Sequence, residues 1–166
     1  MKIIYCQNGC CEMETSTFIK TNKIIKHKSN FKAGVFIYNP IHDKVLIVQS
    51  NGKLWGAPKG SLKRNENISQ CACREVLEET GILLDKKSLK ISTNIKTKAV
   101  YYYIEFDDLL EVSIQKLELN DADTNDVNSI GWVKPSCIKQ LIENDKMRIN
   151  KHFSTLLERF LKFKIY

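Results

Sequence analysis

Three glutamates, Glu75, Glu78 and Glu79, stand at i, i+3 and i+4. Advancing about 100° per residue, a helix would gather their carboxylates within one third of its circumference. Ala72, Cys73, Val76 and Leu77 occupy an adjoining stretch that can pack inward. Like charges at this spacing repel one another and cost helix stability. A cation placed among them reverses the sign of that interaction. Hard carboxylate oxygens suit Mg²⁺ or Mn²⁺, ions that pair with substrate phosphates, neutralise developing charge and activate a water. Alone, a Glu-x-x-Glu-Glu string reads first as a solvated acidic face, so its neighbours decide.

Those neighbours extend the pattern. Gly60 is followed after five residues by Glu66, and after seven more by Arg74-Glu75-Val76-Leu77-Glu78-Glu79-Thr80-Gly81-Ile82. With every fixed position matched, the stretch resembles the signature of the Nudix hydrolase family, G-x5-E-x7-R-E-U-x-E-E-x-G-U, where U is a bulky aliphatic. The resemblance implies hydrolysis of a phosphoanhydride bond in a substrate containing a nucleoside diphosphate. It also implies the family's α/β/α sandwich around a mixed sheet, with a loop–helix–loop from Gly60 to Ile82. Glu78 and Glu79 would then be the main metal ligands, and Glu75 a ligand or the group orienting the attacking water. The Gly60 carbonyl would lie near the metal, and Glu66 and Arg74 would form a structural ion pair. Asp126, shortly before Ile130-Gly131-Trp132-Val133, resembles the family's downstream acid, a further ligand or general base; Asp123 and Glu105 are weaker candidates.

The lead-in to the motif narrows the substrate. Trp55-Gly56-Ala57-Pro58-Lys59-Gly60, after Val45-Leu46-Ile47-Val48-Gln49, is similar to the W-G-F-P-K-G stretch of the mRNA-decapping branch, with Ala57 in place of the usual Phe. That similarity implies cleavage of capped RNA to 7-methyl-GDP and 5′-monophosphate RNA. The length leaves no room for that branch's separate N-terminal regulatory domain, so a compact enzyme of the kind a large DNA virus would encode is expected. Dinucleoside polyphosphates of the Ap4A type and diphosphoinositol polyphosphates are the alternatives. A capped RNA needs a basic track for its phosphates. Lys59, Lys139, Lys146, Arg148, Lys151, His152, Arg159, Lys162 and Lys164 are available for one, with Lys59, Lys146, Arg148 and Lys151 the expected substrate contacts. A solvated helix face explains the C-terminal charges equally well. Tyr101, Tyr102, Tyr103 and Trp132 could stack on a base, although core packing is the expected task of most of them, and of Trp55.

The elements that must position these groups follow from local patterns. Ala33–Asn39 and Lys44–Gln49 form β-branched runs around a short polar turn, a hairpin. A helix starts near Glu66 or Asn67, capped by Asn65 or Asn67, and stops at Gly81. Residues 88–97 and 98–106 read as a strand pair, and 112–119 as a further extended segment. Residues 121–128 form an acidic loop before the Trp132 strand. Pro135 opens a helix around 136–143, and 150–163 has helical apolar spacing at Phe153, Leu156, Leu157, Phe160 and Leu161. The C-terminal helices together occupy about 136–164, and one domain is expected over 1–166.

Composition sets the remaining bounds. At 166 residues, 43% hydrophobic and 27% charged, the chain can bury a core and is not built like a disordered protein. No apolar run reaches the ~18 residues of a membrane span and no secretory pattern opens the chain, so a cytoplasmic protein without membrane partners is expected, in the host cytoplasm if viral. A net charge of +7 favours a polyanionic partner, capped RNA or a nucleotide polyphosphate, although a Lys-, Ile- and Asn-rich composition also follows from an AT-rich genome. The six cysteines, Cys6, Cys10, Cys11, Cys71, Cys73 and Cys137, read as free thiols in a cytosolic chain. Cys6, Cys10 and Cys11 could hold zinc with His27, but their spacing matches no standard zinc module. An N-terminal strand and turn with small buried thiols is the expectation.

Overall fold

The computed structural model describes residues 1–16, 31–50, 54–120 and 127–166. Among them, strands β1 (Lys2–Tyr5), β2 (Glu12–Thr15), β3 (Lys32–Asn39), β4 (Lys44–Ser50), β5 (Trp55–Gly56) and β6 (Lys59–Ser61) precede helix α1 (Ile68–Thr80). Strands β7 (Ile91–Ile95) and β8 (Ala99–Glu105), helix α2 (Ile114–Asn120), strand β9 (Val127–Val133) and helices α3 (Pro135–Glu143) and α4 (Lys151–Leu161) follow. The strands join one sheet in the order β1-β2-β9-β4-β3-β8-β7, with β5 beside β4 and β6 beside β3. The β3–β8 pair is parallel and its neighbours are antiparallel, so the sheet is mixed, as expected.

Strand alternation divides the interior into two layers. Ala33, Val35 and Ile37 of β3 with Leu46 and Val48 of β4 face the layer that holds Cys71, Ala72 and Val76 of α1 and Ile114 and Leu117 of α2. Phe36, Val45, Ile47 and Tyr101 face the opposite layer, closed by Ile138 and Leu141 of α3 and Phe153, Leu156 and Leu157 of α4. Helices therefore cover both faces, which is the α/β/α sandwich.

Segment 112–119 departs from the extended reading. From Ile114 it is helical, because Ile114 and Leu117, three residues apart, are both buried under the sheet and so lie on one helical face. The Glu14 carboxylate of β2 accepts the Ile114 N–H at 2.8 Å, satisfying a free donor of the first turn. A partner a hundred residues away thus overrides the extended reading of this run.

Candidate active site

Helix α1 is bounded as its sequence requires. The Asn67 side chain accepts from Gln70 N–H while the Gln70 side chain accepts from Asn67 N–H, a capping box. Gly81 ends the helix at φ 75°, a left-handed turn that glycine adopts without strain. Between these ends, Cys71, Ala72 and Val76 anchor the helix in the core, and Glu75, Glu78 and Glu79 are turned towards strand β6 and the loop after it.

Arg74 organises that loop. Its Nε and Nη2 donate to Glu66 Oε1 and Oε2 at 2.7 and 3.0 Å, a two-pronged pairing, and Nη2 also reaches the Ser61 carbonyl at 3.2 Å. Glu66 in turn accepts the Lys63 N–H at 3.0 Å. The hydrogen bonds from Arg74 hold the Glu66 carboxyl at about 2, well below its ordinary value, despite partial burial. Nη1 of Arg74 faces the other way and donates to Glu75 at 2.6 Å and Glu78 at 3.0 Å. One guanidinium thus ties the loop to the helix and aligns two of the three helix carboxylates. Exposed Lys63 lies 3.5 Å from Glu78, a pair of little consequence in water.

Gly60 is required by proximity. A Cβ on it would lie 2.0 Å from the Glu75 carboxyl carbon, so only glycine lets the Glu75 carboxylate rest against β6. The Gly60 carbonyl faces the Cys71 thiol at 3.8 Å, a weak contact.

Glu79 is 8% exposed and accepts the Lys59 N–H at 2.8 Å. Burial raises its carboxyl to about 8; the Lys59 charge and amide oppose the shift and the Glu75 charge adds to it. Burial likewise raises Glu75, opposed by Arg74. Arg74 pairs with Glu66, Glu75 and Glu78 and leaves Glu79 to the Lys59 amide, so negative charge is in excess here and a retained proton relieves it in part. Hard oxygen donors, surplus charge and a carboxyl that gives up its proton reluctantly form a donor set suited to a divalent cation. Glu75, Glu78 and Glu79, with the Gly60 carbonyl, are the groups able to hold it.

The expected basic track is only partly assembled. Lys146, Arg148 and Lys151 are exposed, and the backbone of that segment docks on the motif's lead-in. Trp55 N–H donates to the Arg148 carbonyl at 2.8 Å and Asn150 N–H to the Trp55 carbonyl at 2.9 Å. Asn150 also caps α4 by accepting the Phe153 N–H, and it packs so closely on Gly56 that a Cβ there would lie 2.1 Å from it. Arg159 binds Thr93 Oγ1 at 2.8 Å and the Asn94 carbonyl, which fixes α4 to β7. Sequence reading missed Lys32, Lys96 and Lys98. Burial, and then their charges with that of Lys59, lower the pKa of His152 below 6.5. These lysines come from strands β3 and β6 and from the turn between β7 and β8, so no local run of charge announces them.

Of the aromatic candidates, Trp55, Tyr101 and Trp132 are core residues. Tyr101 Oη pairs with His152 Nδ1 at 3.0 Å and Trp132 Nε1 donates to the Leu110 carbonyl at 2.9 Å. Tyr103 packs on Phe36 and Phe160, and Tyr102 is half-buried. Glu105 bonds Tyr103 at the end of β8. Asp123 and Asp126 lie outside the described residues.

The NUDIX domain family matches residues 28–153, a span that contains the whole Gly60–Ile82 constellation. The chain belongs to the Nudix family. It is accordingly a Nudix pyrophosphohydrolase, from a family whose hydrolases generally use divalent metals. It is 29% identical over 143 residues to protein 111R of Invertebrate iridescent virus 3, covering 82% of this chain and 80% of that one. It is 24% identical over 135 residues to the mRNA-decapping protein g5R of African swine fever virus, covering 72% of this chain and 55% of that longer protein. The fold is also that of the Ap4A hydrolase of C. elegans, with a TM-score of 0.55 at 20% identity over 80% of this chain and 96% of that one. At such identity the likeness concerns the fold alone. In this Nudix hydrolase, as in the sequence motif, the metal-suited carboxylates and the Arg74–Glu66 pair occupy one continuous loop and helix.

Proposed function

We propose that this Nudix hydrolase removes the 5′ cap of RNA, cleaving the cap's phosphoanhydride bridge to 7-methyl-GDP and 5′-monophosphate RNA. The observation that carries the reading is the meeting of Lys32, Lys59 and Lys98 where β3 pairs with β6 and with the start of β8, joined to the carboxylates through the Lys59 backbone bond to Glu79. A basic surface running up to an acidic catalytic cluster fits a substrate that is a long polyanion with its scissile group at one end. The likeness to the decapping protein g5R points the same way.

In this reading Glu78 and Glu79, with Glu75 and the Gly60 carbonyl, hold Mg²⁺ or Mn²⁺. The bound ion supplies charge neutralisation on the phosphates and an activated water. Arg74 keeps Glu75 and Glu78 in register, so the carboxylates need not reorganise as charge develops. Lys59 contributes phosphate affinity, with Lys146, Arg148 and Lys151 extending the track along the RNA. Asp126 is proposed as the general base or an added ligand. The next residue, Val127, pairs with Ser50 at the end of β4, and the Ser50 side chain bonds Glu79.

The test is a substrate panel of cap-labelled RNA, free cap, diadenosine tetraphosphate, nucleoside triphosphates and a diphosphoinositol, each with Mg²⁺ or Mn²⁺. Release of 7-methyl-GDP, faster from long RNA than from free cap, is expected. Affinity for RNA should fall steeply with salt; neutralising about four phosphates gives a log–log slope near −3. A preference for diadenosine tetraphosphate, no action on capped RNA and a flat salt response would replace this reading.

A further inference from the structure

On the sheet face opposite α1, far along the chain from the motif, four cysteines converge. Cys6, Cys10 and Cys11 lie in the turn between β1 and β2, and Cys137 is the third residue of α3. Their four sulfurs all lie within 4.8 Å of one another. The Cys10 sulfur is 3.6 Å from each of the other three. Four sulfurs around a tetrahedral zinc, at Zn–S distances of about 2.3 Å, stand roughly 3.8 Å apart. A disulfide would draw Cys10 towards a single partner, whereas its three equal separations fit a central atom shared by all four.

The surroundings match that geometry. Cys6, Cys11 and Cys137 are at most 4% exposed, and Cys10 covers them from the solvent side. The Lys134 N–H donates to Cys11 Sγ at 3.3 Å, and backbone amides of Cys11 and Asn8 are directed at the Cys6 sulfur. Such N–H···S contacts orient thiolate ligands. Backbone bonds close the turn: Gly9 N–H donates to the Cys6 carbonyl and Cys6 N–H to the Cys11 carbonyl, both at 3.1 Å, with Gly9 at φ +66°. Three close-spaced cysteines and one 126 positions later meet only because β2 pairs with β9, and β9 leads directly into α3.

We propose that Cys6, Cys10, Cys11 and Cys137 bind one structural Zn²⁺, which fastens the β1–β2 turn to the start of α3. Soft thiolates in a closed tetrahedral set select zinc over the hard ions suited to the glutamates. Each sulfur binds as thiolate, so the thiol protons pass to solvent as the metal enters. The site has no position for substrate, and its role is to stabilise. His27, the ligand weighed from sequence, lies outside the described residues; Cys137 supplies the fourth sulfur.

The full chain, purified under reducing conditions without chelator from zinc-supplemented cells, should carry about one zinc per molecule by elemental analysis. Cys10→Ser and Cys137→Ser should each lose that zinc and melt at lower temperature, while Cys73→Ser keeps it. Glu79→Gln should also retain it, which separates this site from the glutamate cluster. Cobalt substituted into the wild-type chain should give the intense visible absorption of tetrahedral thiolate ligation, a readout that stands even if the serine variants fail to fold. Wild-type protein free of zinc, iron in its place, zinc retained in both serine variants, or the weak spectrum of oxygen-ligated cobalt would each overturn the proposal.

Discussion

Glu79→Gln separates the two consequences of burying one carboxyl beside others. In the metal-free protein the Glu79 carboxyl, normally near 4.5, is raised to about 8 by burial. A group whose folded pKa is raised favours the folded state in its protonated form. Its contribution is complete below 4.5 and is lost as pH rises through about 8. At about 1.4 kcal/mol per pH unit, the full loss is on the order of 5 kcal/mol; water entry and relaxation reduce the realised cost to roughly 2–3 kcal/mol. Glutamine is isosteric with the protonated acid, can still accept the Lys59 N–H and never ionises. In buffer freed of Mg²⁺ and Mn²⁺ by chelating resin, the variant should therefore match wild type near pH 5. Near pH 8.5 it should melt about 6–9 °C higher, at ~3 °C per kcal/mol for a chain of this size. Comparing the two proteins cancels the titration of Glu66, which both retain. Saturating Mg²⁺ should reverse the order, because only wild type supplies the carboxylate, and turnover of the variant should fall about 10²–10⁴-fold. The assay is thermal denaturation by circular dichroism at both pH values, with hydrolysis rates on the same samples. A melting difference that stays constant from pH 5 to 8.5, or wild type remaining the more stable at pH 8.5 without metal, would refute the reasoning.

Other outcomes follow from neighbouring contacts. Gly60→Ala places a methyl 2.0 Å from the Glu75 carboxyl carbon; it should cost about 1–3 kcal/mol and reduce turnover more than 10-fold, checked by denaturant melts and kinetics. Arg74→Lys retains charge but cannot span Glu66, Glu75 and Glu78 together, so kcat should fall at least about tenfold while the circular dichroism spectrum is preserved. Glu66, held at about 2 by Arg74, contributes stability that is present above its unfolded value near 4.5 and lost as pH falls towards 2. Glu66→Gln should therefore flatten the acid limb of the stability–pH curve.

Much of this molecule is local in origin. The Asn67 cap, the Gly81 stop and the run of core and acidic residues between them specify α1 without help from elsewhere, because caps and periodicity act over a few residues. The motif's spacing likewise brings Arg74 within reach of Glu66, Glu75 and Glu78. Runs of β-branched and aromatic residues marked strands β3, β4 and β8 for the same reason.

Tertiary structure decided what depends on groups distant in the chain. Segment 112–119 is helical from Ile114 because the sheet buries Ile114 and Leu117 and Glu14 accepts its first N–H. Glu79 differs from Glu78 because the fold buries one and leaves the other partly in water, a distinction absent from a string of identical letters. Lys32, Lys96 and Lys98 reach Lys59 only through strand pairing, and Cys137 reaches Cys10 only after β9 has docked on β2. Sequence conveys periodicity and chemical type; burial, and with it the strength of every charge, exists only once separate segments have closed around a side chain.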